Sequence, residues 1–219
     1  MSLVLFDIDG TLLRTRGAGR EALDEALERL YGWPEATRDV YVAGSTDRVI
    51  LETVAAQRGR PVDHRAVEAL YLEGLRTRLA DPTRTEVLPG VVDLLARLAG
   101  RATVGLLTGN WVSGAGVKLR AAALHAAFPF GAFADDGHDR NALLPVAVAR
   151  ARARGWGGPG PVLVIGDTLA DIRCARSGGA VAVAVATGFC DVDELAAERP
   201  DHLLTDLASG MDTVLAALG

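Results

Sequence analysis

Two aspartates, Asp7 and Asp9, sit in the string Val4-Leu5-Phe6-Asp7-Ile8-Asp9-Gly10-Thr11-Leu12-Leu13, just after an apolar run rich in β-formers. Along an extended chain alternate side chains share a face, so this spacing predicts both carboxylates on one side of a strand end. Like charges held this close repel and require a cation or a proton between them. Carboxylate and backbone oxygens at a strand end suit a hard divalent ion, and Mg²⁺ is the expected cofactor. Gly10 lets the chain turn sharply and keeps side-chain bulk away from whatever the carboxylates hold. Taken alone, an Asp-x-Asp also fits a buried strand ending in a solvated acidic turn.

Two later stretches add to the same chemistry. Thr108-Gly109-Asn110 follows the apolar run Ala102–Leu107 and supplies a hydroxyl, a closely approachable N–H and a carboxamide at a helix start, an anion-binding arrangement. Gly166-Asp167-Thr168-Leu169-Ala170-Asp171 follows Val162–Ile165 and brings two more carboxylates. Separately, the first is a common turn and the second an acidic helix start. In order, each behind an apolar strand, the three are the residue types that phosphoryl transfer needs.

The elements that must position them read as follows. Near-continuous apolar strands alternating with helices predict a doubly wound (Rossmann-like) α/β parallel sheet covered on both faces, with the site at the carboxyl ends of the strands. Before the second strand the pattern is helical: Arg20–Tyr31, a helix starting at Ser45-Thr46-Asp47, and one capped by Asp63 and running to Leu79. Arg14–Gly19 reads as a flexible connector, and no convincing strand falls between Arg14 and about Arg84. The organisation expected is an α/β core of residues 1–14 and 85–219 with a helical cap of residues 15–84. Further on, Trp111–Ala126 and Leu144–Arg154 read as helices, the second with Pro145 in its first turn.

Composition narrows the function classes. A net charge of −5 over 219 residues argues against a surface for nucleic acid. Two cysteines are too few for a disulfide scaffold, and no apolar run approaches a membrane span. With an N-terminus that enters a strand directly, the expected location is the cytoplasm.

Asp-Ile-Asp-Gly-Thr-Leu resembles the first motif of the haloacid dehalogenase-like superfamily, and Thr108-Gly109-Asn110 and Gly166-Asp167…Asp171 resemble its second and fourth. The helical insert resembles the cap of the phosphoglycolate phosphatase-like branch. The resemblance implies a Mg²⁺-dependent phosphatase acting on a small organic phosphate through an aspartyl-phosphate, as a monomer or homodimer. Asp7 would be the nucleophile and Asp9 the acid and base. Asp7, Asp9, Asp167 and Asp171 would form the metal site, and Thr108, Gly109 and Asn110 would hold phosphate. For the third motif's cation the chain offers Arg140 or Lys118, its only lysine. Arg140 is favoured by its place before the fourth motif's strand, and Lys118 otherwise reads as a solvated surface residue. Asp135, Asp136, His138 and Asp139 read as an exposed loop. Thr46 and Asp47 either contact the substrate's far end or cap a helix. A sugar phosphomutase and a non-catalytic phosphate-sensing module are the alternatives; Asp9 and the helical insert favour the phosphatase.

Overall fold

The computed structural model describes residues Met1 to Gly219. In chain order its strands are β1 (Ser2–Phe6), β2 (Leu13–Arg14), β3 (Glu86–Val87), β4 (Ala102–Leu107), β5 (Gly131–Ala132), β6 (Val162–Gly166), β7 (Val181–Val185) and β8 (His202–Leu204). Six form one parallel sheet in the order β5-β4-β1-β6-β7-β8. Strand order runs outward from β1 in both directions, so β1 lies at the switch point where such sheets open a crevice. Phe6 pairs with Leu106 of β4 and Ile165 of β6, which brings the residues after all three strands level at one edge.

Side-chain alternation along β1 assigns the two faces. Val4 and Phe6 pack with α4 (Val91–Leu98), α5 (Val112–Ala121) and α9 (Met211–Ala216). Leu3 and Leu5 pack with α6 (Arg140–Ala153) and α7 (Leu169–Ser177). Every residue of β1 is buried, which fits its apolar run Leu3–Phe6, and the one polar residue, Ser2, donates its hydroxyl to the Leu218 carbonyl. Each such side chain contributes roughly 1.5–3 kcal/mol by leaving water.

The insert consists of α1 (Ala18–Tyr31), α2 (Asp47–Arg58) and α3 (His64–Leu79). Its apolar stripe does not close on itself alone. Trp111, Val117 and Ala134, which lie after β4, join the same buried cluster, and the Tyr71 and Trp111 rings meet edge to face at 5.5 Å. The insert is therefore seated on the sheet's carboxyl edge. No helix is long and apolar enough to cross a membrane.

Several expectations are corrected. Arg14–Gly19 is not a loose connector: Leu13 and Arg14 pair antiparallel with Val87 and Glu86, and α1 begins at Ala18. Strands of two residues are too short to carry an alternation signal, which is why this ribbon was missed. The helix expected to reach Ala126 ends at Ala121, and Ala123 takes a left-handed φ of 57° just beyond it. The helix expected from Leu144 starts a turn earlier, at Arg140, because the Asp139 carboxylate accepts from the Asn141 N–H. Pro145 thus sits in the second turn, and Arg140 becomes the first residue of α6.

Candidate active site

Asp7 continues the odd-numbered series of β1 and so points to the side covered by α6 and α7. There Arg140, fixed at the start of α6, places its Nη2 3.1 Å from Asp7 Oδ1 and 2.5 Å from Asp171 Oδ1. The other oxygen of Asp171 accepts from the N–H and hydroxyl of Thr168, so this residue caps α7 and faces the site at once. Asp167 accepts from the Thr11 hydroxyl at 3.0 Å and from the Phe189 N–H at 2.9 Å. Gly10 has φ +80°, and any side chain on it would collide with the Asp167 carboxylate. That close approach explains the glycine after the aspartate pair.

Asp7, Asp167 and Asp171 are all buried, and each offers an oxygen within 4.8 Å of the others. Arg140 pairs with Asp7 and Asp171 and not with Asp167, so one guanidinium among three carboxylates leaves the group a formal excess of two negative charges. Burial raises the Asp7 pKa to about 6; Arg140 opposes that shift, while Asp171 and Asp9 add to it. Burial, then the charges of Asp7 and Asp171, raise Asp167 well above the ordinary carboxylate range. Three hard oxygen donors around an uncompensated negative charge fit a small divalent cation.

Asp9 has a different setting. The backbone bends at Ile8, so it is this turn and not strand alternation that brings Asp7 and Asp9 to one cavity. Lys118 Nζ donates to Asp9 Oδ2 and to Asn110 Oδ1, both at 2.6 Å. Asn110 Nδ2 donates to the same Asp9 oxygen at 2.9 Å and to Thr108 Oγ1 at 2.8 Å. Lys118 is only 5% exposed, which overturns its reading as a solvated surface lysine. Burial alone would lower its pKa, but Asp9, Tyr71 and Asp47 hold it above the ordinary value. Both candidate cations are thus present, one on each leading carboxylate. A signal for this exists in the sequence: Lys118 lies three residues after Ala115 and one before Leu119, on the buried side of α5.

Gly109 and Asn110 line a cavity of about 400 Å³ with Asp7, Asp9, Arg140 and Lys118. Thr108 is fully buried beneath it, tied to Asn110 and to Asp7. The loop before α2 docks on this edge, its Asp47 N–H donating to the Gly109 carbonyl at 2.8 Å. Thr46 is 1% exposed, and its hydroxyl accepts from the Val49 N–H and donates to the His138 carbonyl. It serves as a helix cap and does not line the cavity. Asp47 does line it, and its carboxylate accepts from the Trp111 N–H at 2.7 Å. Burial pushes the Asp47 pKa up to about 7, against the lowering effect of Lys118.

The acidic stretch before α6 is spent on structure. Asp135 accepts from the Val112 N–H, Asp136 pairs with Arg150, Asp139 caps α6, and His138 lies beside Glu52. Sequence reasoning assigned no role to Thr11, although it lies in the first motif, and missed the Phe189 N–H and Tyr71, which belong to no polar cluster in the sequence.

Fold and site together define a doubly wound α/β protein whose switch point carries a carboxylate centre beneath a helical insert. The chain belongs to the haloacid dehalogenase-like hydrolases: that family's model matches residues 1–179. It is 28% identical to the phosphoglycolate phosphatase of Synechococcus elongatus over 93% of this chain and 92% of that one. It is 29% identical to a 5'-nucleotidase of Pseudomonas aeruginosa, over 94% of this chain and 92% of that protein. Its fold is similar to that of CbbY from Rhodobacter sphaeroides, solved in complex with phosphate, with a TM-score of 0.76, 20% identity and 95% of each chain covered.

Proposed function

We propose that this chain is a Mg²⁺-dependent phosphatase that hydrolyses a small organic phosphate monoester, of phosphoglycolate or sugar-phosphate type, through an aspartyl-phosphate. The observation that carries this reading is the set of three buried carboxylates at the switch point, two of them paired with one arginine. Mg²⁺ would be held by Asp7, the Asp9 backbone carbonyl and Asp167, with Asp171 supporting the set. When bound, it would offset charge on the transferring phosphoryl group. Two relatives named as a phosphoglycolate phosphatase and a 5'-nucleotidase match at nearly the same identity, which supports the class of small organic phosphate monoesters.

The remaining roles belong to the protein's own residues. Asp7 attacks phosphorus and becomes phosphorylated, forming a carboxylate O–P bond as the P–O bond to the leaving alkoxide breaks. Arg140 orients the Asp7 carboxylate and, with Thr108 and the Gly109 N–H, stabilises the developing charge. The Arg140 Nε–H is buried without a protein partner. Asp9 protonates the leaving alkoxide and then takes a proton from the hydrolytic water. Residues 1–14 and 85–219 act as the catalytic core and residues 15–84 as a cap; the Gly44–Asp47 loop closes over the phosphate loop. The chain would work in the cytoplasm as a monomer or homodimer.

The test is release of inorganic phosphate from p-nitrophenyl phosphate and from a panel of small phosphate esters, with Mg²⁺ and with EDTA. Turnover that requires Mg²⁺ and yields free phosphate supports the reading. Transfer of phosphate to a second hydroxyl of the substrate would make it a mutase, and no turnover on any ester would sink it.

A further inference from the structure

The cavity holds a second buried cation that the three-carboxylate centre does not use. Lys118 lies on α5, away from α6 and α7, and pairs with Asp9 alone among the carboxylates. Its surroundings come from the insert: the Lys118 ammonium and the Tyr71 hydroxyl lie side by side under Gly19 of α1. An ammonium placed there loses its water and must be compensated in full by fixed partners. It has two, Asp9 Oδ2 and Asn110 Oδ1.

The distribution of hydrogen bonds on Asp9 is unequal. Its Oδ2 receives both Lys118 Nζ and Asn110 Nδ2, and its Oδ1 receives no donor from the protein. Because an ammonium only donates, the Asn110 carbonyl must face Lys118, which turns the Asn110 amide nitrogen onto Asp9 and Thr108. The four side chains form one network in which Asp9 Oδ1 is the carboxylate oxygen left without a protein donor. The Asp9 side chain keeps 25% exposure and lines the cavity, while Lys118 is shut in.

We infer that Lys118 is the positioning residue for Asp9: it clamps one oxygen of that carboxylate so that the other is presented to the leaving-group oxygen of the substrate. This rests on the phosphatase reading, in which Asp9 exchanges the proton. A group that only orients another works through it, so its loss should follow the chemistry of Asp9 and not that of Asp7.

The experiment compares kcat and KM for alkyl phosphates and for p-nitrophenyl phosphate at saturating Mg²⁺. The enzymes are the parent, Asp9→Asn, Lys118→Met and the double variant. Asp9→Asn should lose about 10²- to 10⁴-fold in kcat on alkyl esters and far less on the aryl ester, whose leaving group needs little protonation. Lys118→Met should show the same selectivity at roughly 10-fold or more, with KM little changed. In the Asp9→Asn background it should cost no more than about 3-fold further, since two residues acting as one unit are not additive. Lys118→Ala should recover alkyl-ester turnover when ethylammonium is supplied. Asn110→Ala, which removes the other donor to Oδ2, should reproduce the alkyl-selective loss even if the lysine variants fold poorly. Equal losses on alkyl and aryl esters in the Lys118 and Asn110 variants, or full additivity with Asp9→Asn, would overturn the inference and leave Lys118 a strut between insert and core. No leaving-group dependence in Asp9→Asn itself would overturn the role of Asp9, and this inference with it.

Discussion

The two halves of the site hold their charges differently. On the Asp7 side, Arg140 pairs with two of three buried carboxylates, so the protein's own charges do not balance. On the Asp9 side, one lysine serves one carboxylate and an amide completes the set. The first arrangement raises the Asp7 and Asp167 pKa values, and the second keeps Lys118 charged. An unbalanced centre has a place for a cation from solution, whereas a balanced one is complete and can only be aimed. This difference matches a division of labour between metal-assisted attack at Asp7 and proton transfer at Asp9.

The comparison can be broken most severely at Asp7. Asp7→Asn should abolish turnover of every ester, a loss on the order of 10⁴-fold or more. The same change removes one of several crowded buried charges, so the metal-free variant should melt no lower than the parent. A large loss of stability would show that the Asp7 side is balanced after all.

Arg140→Ala should lower kcat/KM by on the order of 10²-fold or more. It also leaves Asp7 and Asp171 buried without their partner, at a cost of about 3–5 kcal/mol in denaturant unfolding. Activity retained within a few-fold of the parent would show that Lys118 is the phosphate-binding cation instead.

Mg²⁺ itself sharpens the contrast. At about 100 times its Kd, a ligand specific to the folded state adds roughly 2.7 kcal/mol of stability, visible as a rise in Tm. Asp167→Asn should remove most of that rise, and Lys118→Met should retain it. Equal responses in the two variants would mean that the centre is not on the Asp7 side.

The smallest expected effect concerns pH. Asp47 binds its proton more tightly in the folded chain, with its pKa raised from 3.8 to about 7. The folded state then holds more protons than the unfolded one across that window, so stability falls as pH rises from about 4 to 7. Asp47→Asn should flatten part of that fall, by on the order of 1–3 kcal/mol; a shift of that size would give roughly 4 if fully expressed. Melting curves from pH 4 to 8 check this, and an unchanged slope would count against the burial of Asp47.

How much of this was legible in the sequence follows from what each feature depends on. The sheet, its carboxyl edge and the Asp7, Thr108 and Asp167 clusters were readable because each is a local run: an apolar strand followed by polar residues. Arg140 was readable as a candidate because it stands just before the helix that leads into the fourth motif's strand. The β2–β3 ribbon was not, because its pairing joins residues on either side of the whole insert. Thr46 could be weighed as a cap or as a contact, but only the position of His138 shows where its hydroxyl goes. Lys118 was misread for a related reason. Its charge partner, Asp9, sits beyond the end of β1 on the far side of the insert in sequence, and it lies against Tyr71 from the insert. A charged residue on the buried stripe of α5 was the one local clue.

The central claim is that Asp7 carries the phosphoryl group. The direct measurement is to mix enzyme, Mg²⁺ and a turning-over ester, quench within one turnover, and reduce with borohydride. An acyl phosphate on aspartate is converted to homoserine, and peptide mass spectrometry locates it. The account predicts homoserine at residue 7, dependent on substrate, and absent from Asp7→Asn. Turnover with residue 7 unmodified, or with the modification on Asp9, Asp167 or Asp171, would contradict it.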